Sequence, residues 1–103
     1  MELRSNPSAP QVPETPTDFK TGLKCNEGEA RFKWNPVKGA AAYIIQISDT
    51  PTNENSWEFY DVITKANYQG GEFVSLTIKW FRITAVGAKG KSLWSLPLKV
   101  KIQ

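Results

Sequence analysis

Most of the sequence consists of short segments in which apolar and polar residues alternate, and this pattern limits the possible folds more than any other feature. In one of them Phe32 and Trp34 alternate with Arg31 and Lys33. A period of two residues is that of a strand with one buried face. No segment has the sustained period of an amphipathic helix, and β-branched and aromatic residues dominate the alternating segments. The sequence therefore predicts an all-β protein.

Seven strands are predicted from these segments and from the turn residues between them. They cover residues 18–23, 29–35, 42–48, 57–63, 67–69, 78–86 and 98–102. Because nearly every strand has one apolar face, two antiparallel sheets packed face to face would bury all of these faces together. The predicted fold is a seven-stranded antiparallel sandwich of the immunoglobulin-like kind.

The first 16 residues have a different composition from the rest of the chain. Prolines stand at positions 7, 10, 13 and 16, among Ser, Thr, Ala and Gln. Proline has no amide donor and a fixed φ, so such a stretch forms neither a central strand nor a helix. We expect residues 1–16 to be a loosely attached linker and residues 17–103 to be the folded domain.

The chemistry open to this chain is narrow, because it has no histidine and one cysteine, Cys25. Ser-His-Asp and Cys-His catalysis and His-ligated metal sites are excluded, and neither an intrachain disulfide nor a Cys-based zinc site can form. The loop 49–55 offers oxygen ligands for calcium, but their spacing is not that of an EF-hand, and the same residue types are common in turns. These oxygens belong to Asp49, Asn53, Glu54 and Asn55. We expect no enzyme activity, no metal and no cofactor.

The charge distribution argues against nucleic acid as a partner. The net charge is +3, and the one locally basic part of the chain, at the C-terminal end, contains Lys89, Lys91, Lys99 and Lys101. These lysines are typical of a solvated edge strand, whereas nucleic-acid binders concentrate Lys and Arg on one face. No apolar run approaches the roughly 20 residues that a membrane-spanning helix needs, so this segment is expected not to insert into a membrane.

Two stretches resemble the fibronectin type III family. Trp34-Asn35-Pro36-Val37-Lys38-Gly39-Ala40 followed by Tyr43-Ile44-Ile45-Gln46 is similar to the second and third strands of that family. Phe81-Arg82-Ile83-Thr84-Ala85-Val86-Gly87, followed by Gly90, Ser92 and Trp94-Ser95-Leu96-Pro97, resembles its last hairpin. The similarity covers about residues 16–102 and is greatest to bacterial versions. It implies three strands in one sheet and four in the other, with Trp34 between them, and a secreted or cell-surface location.

One corner of the sandwich departs from the family pattern. The resemblance places Lys79 where the family has a tyrosine whose hydroxyl bonds to the preceding loop, and Leu76 where that loop has a glycine. The corner hydrogen bond is therefore expected to be absent. Two replacements are open: the lysine stem packs in place of the ring, or a bulge turns Ile78 inward.

The alternation in the sixth predicted strand places Trp80 and Arg82 on the face opposite Phe81. Trp94 lies on the neighbouring strand, within a Ser-x-Trp-Ser pattern, so we expect the Arg82 guanidinium to stack on its ring. An alternative is an exposed binding platform made of Trp57, Trp80, Arg82 and Trp94.

Two functions follow from these two possibilities. The first is a non-catalytic, monomeric spacer whose partners are the neighbouring domains of a longer chain and whose two ends lie at opposite poles. The second is a recognition module that binds a protein or a glycan through exposed aromatic residues and end loops.

Overall fold

The computed structural model describes residues 12–21 and 26–103 of the chain. Their strands are β1 (Ala30–Lys33), β2 (Ala42–Ser48), β3 (Glu58–Ile63), β4 (Asn67–Gly70), β5 (Ile78–Gly87), β6 (Gly90–Lys91) and β7 (Leu98–Lys101). A single turn of 3-10 helix, Glu54–Ser56, precedes β3. In this part of the chain no helix has the length and apolar character that crossing a membrane requires.

The strands form two antiparallel sheets, and the all-β sandwich is confirmed. One sheet pairs β1 with β4, and the other has the order β3-β2-β5-β6, with β7 also paired to β5. The division is therefore two plus five instead of the expected three plus four. The predicted first strand contributes only an isolated bridge between Lys20 and Lys33, and its residues 22 and 23 lie outside the described part. A short strand, β6, precedes the last predicted strand, which is β7. Residues 92–97 connect the two.

Aromatic and aliphatic side chains from both sheets fill the core. Phe32 of β1 and Phe81 of β5 are fully buried and contact each other across the sandwich, with ring centroids 4.8 Å apart. Trp34 is 4% exposed and packs edge-on against Tyr43, at 5.3 Å. The predicted burial of Trp34 between the sheets is confirmed.

A bulge in β3 changes which side chains face the core. Ile45 pairs with Asp61, and the next residue of β2, Gln46, pairs with Phe59. β3 therefore has one extra residue, Tyr60, at this point. The register puts Asp61 on the core side with Ile45, and its carboxylate accepts a hydrogen bond of 2.7 Å from the backbone N–H of Val62. The β3 edge of the five-stranded sheet is therefore irregular and carries an inward-directed charge.

Tyr60 of β3 and Tyr68 of β4 close the side of the sandwich near this bulge. Their rings meet edge-on with centroids 5.6 Å apart. Burial raises the pKa of both phenols. Both hydroxyls lie where a side chain on Gly70 would stand, since a Cβ there would come within 2.6 Å of each oxygen. Glycine at this position therefore makes room for the pair of tyrosines.

Lys79 and Ile78 decide between the two alternatives for the corner that departs from the family pattern. Lys79 is half-buried and its Nζ lies 2.8 Å from Asp49 Oδ1, whereas Ile78 is 44% exposed and pairs in regular register with Lys101. Ile78 therefore does not turn inward, and the half-buried side chain of Lys79 reaches Asp49. Leu76 adopts φ 66° with 77% of its surface exposed, which is a glycine-like backbone on a leucine.

The N-terminal end of the described chain lies against one pole of the sandwich. Pro13 and Pro16 are buried, and Pro13 packs beside Gly87 at the end of β5. Thr17 accepts a backbone hydrogen bond of 2.9 Å from Asn35. Pro13 and Pro16 of the expected linker therefore contact the domain, whereas Val12 and Glu14 are exposed and residues 1–11 lie outside the described part.

The C-terminal end lies at the other pole. The carbonyl of Ile102 accepts from the N–H of Leu76, and the carbonyl of Gln103 accepts from that of Gly28, both at 2.8 Å. Leu76 precedes the start of β5, and Pro13 lies beside its end. The two ends of the described domain are therefore at opposite ends of β5, as predicted.

Candidate functional site

Arg82 is the centre of the most organised polar cluster on the outer face of the five-stranded sheet. It lies in β5 opposite Gln46 of β2, with its side chain directed away from the core residues Phe81 and Ile83. Its guanidinium carbon lies 4.5 Å from the ring centroid of Trp94 and 4.5 Å from that of Trp57. The expected stack of Arg82 on Trp94 is confirmed, and Trp57 covers the guanidinium from its other side.

Each of the three guanidinium nitrogens also donates a hydrogen bond. Nε donates to Gln46 Oε1 at 2.8 Å, and the two terminal nitrogens donate to the two carboxylate oxygens of Glu54, at 3.3 and 2.9 Å. These hydrogen bonds hold the pKa of Glu54 below its usual value. Arg82 is 9% exposed, an extent of burial that an arginine reaches only when it is paired. The cluster thus has little left with which to bind a ligand.

The turn 49–56 supplies Glu54 to this cluster. Asn53 caps the 3-10 helix by accepting a hydrogen bond from the N–H of Asn55, and Asp49 pairs with Lys79. Three of the four residues considered for calcium therefore use side-chain oxygens elsewhere: Asn53 in a cap, and Asp49 and Glu54 in ion pairs. Among residues 12–21 and 26–103 no group of three or more cysteine and acidic side chains is placed to hold a metal ion.

Residues 92–97 hold Trp94 over Arg82. Ser92 and Ser95 each accept a hydrogen bond from a backbone N–H of β5, that of Ala85 at 2.9 Å and that of Ile83 at 3.0 Å. The backbone N–H groups of the same two serines donate back to the carbonyls of Ala85 and Ile83. Each serine therefore makes a pair of bonds to β5, and Trp94 is fixed between them.

The structure brings together three of the four residues of the possible platform. Trp57, Arg82 and Trp94 form the stack. Trp80 lies two residues before Arg82 on the same face of β5, paired with Ser48 of β2 and Lys99 of β7. Trp57 is only 9% exposed, so little of its ring is available to the exposed platform that was the alternative to the stack. Trp80 and Trp94 are half-buried.

Sequence reasoning did not assign Gln46, Glu54, Ser92 and Ser95 to this cluster. The two serines could have been found from their spacing around Trp94, because residues three apart share a face of an extended segment with a three-residue repeat. Glu54 could not, because its approach to Arg82 depends on how the turn 49–56 folds over the sheet.

This architecture, two antiparallel sheets packed around a tryptophan-containing core, is an immunoglobulin-like sandwich. No protein-family model matches the sequence, and no curated protein sequence matches it significantly. Among solved structures, an Fn3-like protein from Clostridium thermocellum is similar with 22% identity and a TM-score of 0.76, over 88% of this chain and 94% of that chain. The FN5 domain of Drosophila Lar is similar with 22% identity and a TM-score of 0.67, over 88% and 97%.

The twitchin kinase region from C. elegans, a much longer chain, is similar with 20% identity and a TM-score of 0.74, over 89% of this chain and 17% of that one. The fold of the present chain is therefore that of a fibronectin type III domain, and the resemblance seen in its sequence is confirmed at the level of the fold.

Proposed function

We propose that this domain is a non-catalytic spacer within a longer, multi-domain protein. The observation that carries the proposal is the position of the two ends, beside the two ends of β5. β5 has 10 residues, which at about 3.3 Å each separate the poles by roughly 30 Å. Domains attached at the two poles are held apart by that length.

The way the ends are fastened supports the same function. Near the N-terminal pole Asn35 donates to Thr17 through both its backbone N–H and its side-chain amide, at 2.9 and 3.1 Å. At the C-terminal pole the chain is bonded to Gly28 and Leu76. Ends held by backbone hydrogen bonds transmit the orientation of the domain to whatever is attached. Solved structures of twitchin and titin include the same fold within longer chains.

A recognition function needs aromatic faces or polar groups that are free to meet a ligand. Both faces of the Arg82 guanidinium and all of its nitrogens are engaged within the domain, and Trp57 is buried. This geometry favours a structural role for the stack. The half-buried rings of Trp80 and Trp94 are what the alternative would have to use.

Energy transfer between two dyes tests the spacer proposal. Cysteines replace Val12 and Gln103 in a Cys25→Ser background, and a separation of roughly 30 Å or more is expected. The control pair, Val12→Cys with Lys89→Cys, puts both dyes at the N-terminal pole, since Val12 lies beside Gly90. Equal transfer in the two pairs contradicts the proposal.

The recognition alternative has its own readout in the same protein. Tryptophan fluorescence is titrated with a panel of glycans and with extracts of potential protein partners. Saturable quenching that Trp94→Ala removes would favour recognition, and its absence together with the long dye separation supports the spacer.

A further inference from the structure

The edge of the five-stranded sheet formed by β6, residues 92–97 and β7 is unlike the rest of the surface in charge. Four exposed lysines lie along it, and between residues 88 and 103 there is no acidic residue. These lysines are Lys89, Lys91, Lys99 and Lys101. They exceed the whole net charge of +3, so the remainder of the chain is close to neutral. Glu14 lies near this edge in space, because its neighbour Thr15 donates a hydrogen bond of 3.2 Å to the carbonyl of Leu93.

The same edge displays two leucines. Leu93 and Leu96 are 82% and 87% exposed, more than any other large apolar side chain in the described part of the chain. Leu93 follows Ser92 and Leu96 follows Ser95, and the paired hydrogen bonds of these serines to β5 fix the segment. A repeat of three residues in an extended segment directs both leucines to one side, with about 9 Å between their Cα atoms. The leucines are therefore held outward, between a pair of lysines at either end.

The backbone of this edge is poorly suited to adding another strand. Ser92 and Ser95 direct their N–H groups toward β5, and Pro97 has no N–H to donate. A strand from another protein would meet an interrupted ladder between β6 and β7. A partner at this edge must therefore be recognised by side chains, through four positive charges and two aliphatic groups.

An anionic lipid surface has both properties that these side chains require. Lysines are attracted to acidic headgroups, and exposed aliphatic side chains gain free energy only where an apolar phase lies beneath the charges. A soluble polyanion offers the charge without the apolar phase. We propose that the edge comprising β6, residues 92–97 and β7 docks on an anionic membrane surface, with Leu93 and Leu96 entering the headgroup layer and the four lysines at the level of the phosphates.

Vesicle sedimentation tests this proposal with the whole chain. Partition onto vesicles of phosphatidylcholine containing phosphatidylserine should exceed partition onto phosphatidylcholine alone by more than roughly tenfold, and salt should reduce it. Lys99→Gln with Lys101→Gln should weaken binding by roughly fivefold for each lysine removed. Leu93→Ser with Leu96→Ser should weaken it by a similar factor while leaving the melting temperature unchanged.

Two matched pairs serve as controls, because they remove the same groups elsewhere. Lys33→Gln with Lys38→Gln removes two exposed charges, and Val74→Ser with Leu76→Ser removes exposed apolar groups at the C-terminal pole. Both should bind like the unaltered protein. Equal partition onto the two kinds of vesicle would overturn the proposal, as would control pairs that weaken binding equally. Displacement by a sulfated polysaccharide, with binding unaffected by the leucine substitutions, would identify a polyanion site and also overturn it.

Discussion

Replacing Leu76 by glycine should stabilise this domain, although it removes a large apolar side chain. The backbone at Leu76 has φ 66°, a conformation that costs an L-residue about 1–2 kcal/mol. Its side chain is 77% exposed, so little packing is lost when it is removed. Glycine loses about 0.5–1 kcal/mol more conformational entropy on folding. The balance is a gain of about 0–1.5 kcal/mol for Leu76→Gly, with a midpoint of about 0.75 kcal/mol.

Thermal and urea denaturation followed by circular dichroism measure this gain. In a domain of this size 1 kcal/mol shifts the melting temperature by about 4–8 °C, so the midpoint gain for Leu76→Gly should raise it by roughly 3–6 °C. Val74 provides a matched control, because it is 71% exposed in the same loop and is not among the residues with positive φ. Val74→Gly should lower the melting temperature, since it gains flexibility without relieving strain.

The reasoning is refuted if the two glycine substitutions lower stability by the same amount. That result would mean that the Leu76 side chain stabilises the loop by more than its backbone conformation costs. A rise for Leu76→Gly accompanied by a fall for Val74→Gly can arise only from the backbone at position 76, because the two side chains are similarly exposed.

Three further predictions concern the core, the stack and the tyrosine pair. Trp34→Ala should lower the free energy of unfolding in urea by about 3–5 kcal/mol, and an unchanged midpoint would contradict its role in the core. The pKa of Glu54 is held below its usual value of 4.5 by the hydrogen bonds from Arg82, so the ionised pair stabilises the folded state above that pH and the contribution disappears as the pH falls through the lowered pKa. The unaltered protein should therefore have a higher free energy of unfolding than Glu54→Gln near neutral pH, and this difference should shrink below about pH 4.5. A difference that does not change with pH would show that the ionised pair contributes nothing. Gly70→Ala should destabilise by about 1–3 kcal/mol, because its Cβ would meet the two tyrosine hydroxyls at 2.6 Å, whereas Gly71→Ala has its nearest contact at 3.5 Å and should be tolerated; equal melting temperatures would contradict this.

The strands that could be predicted from the sequence are those whose side chains alternate without interruption. Residues 42–48 were predicted as a strand and are β2, and the prediction for 78–86 misses only the last residue of β5. Both strands lie in the middle of their sheet and present one face to the core, which is why their pattern is strong. The segment 92–97 repeats every three residues, so a search for alternation could not detect its pairing with β5.

The stack could be predicted only in part, for a related reason. Arg82 and Trp94 lie on neighbouring strands, and outward residues on neighbouring strands lie side by side. Trp57 reaches Arg82 because the turn 49–56 folds back over the sheet, and no local pattern encodes that approach. The burial of Trp57 and the ion pair with Glu54 are therefore properties of the tertiary structure.

The bulge in β3 has a consequence for how the domain tolerates crowding by copies of itself. Modules tethered by short linkers meet one another at effective concentrations in the millimolar range. A regular exposed strand at such concentrations would template pairing between neighbours and lead to swapped or fibrous assemblies. Here the bulge interrupts the ladder of β3, and Asp61 engages the N–H of Val62 within its own strand. A copy of this domain that pairs with this edge would have to break that bond and bury the carboxylate, so the bulge disfavours edge-to-edge pairing between copies.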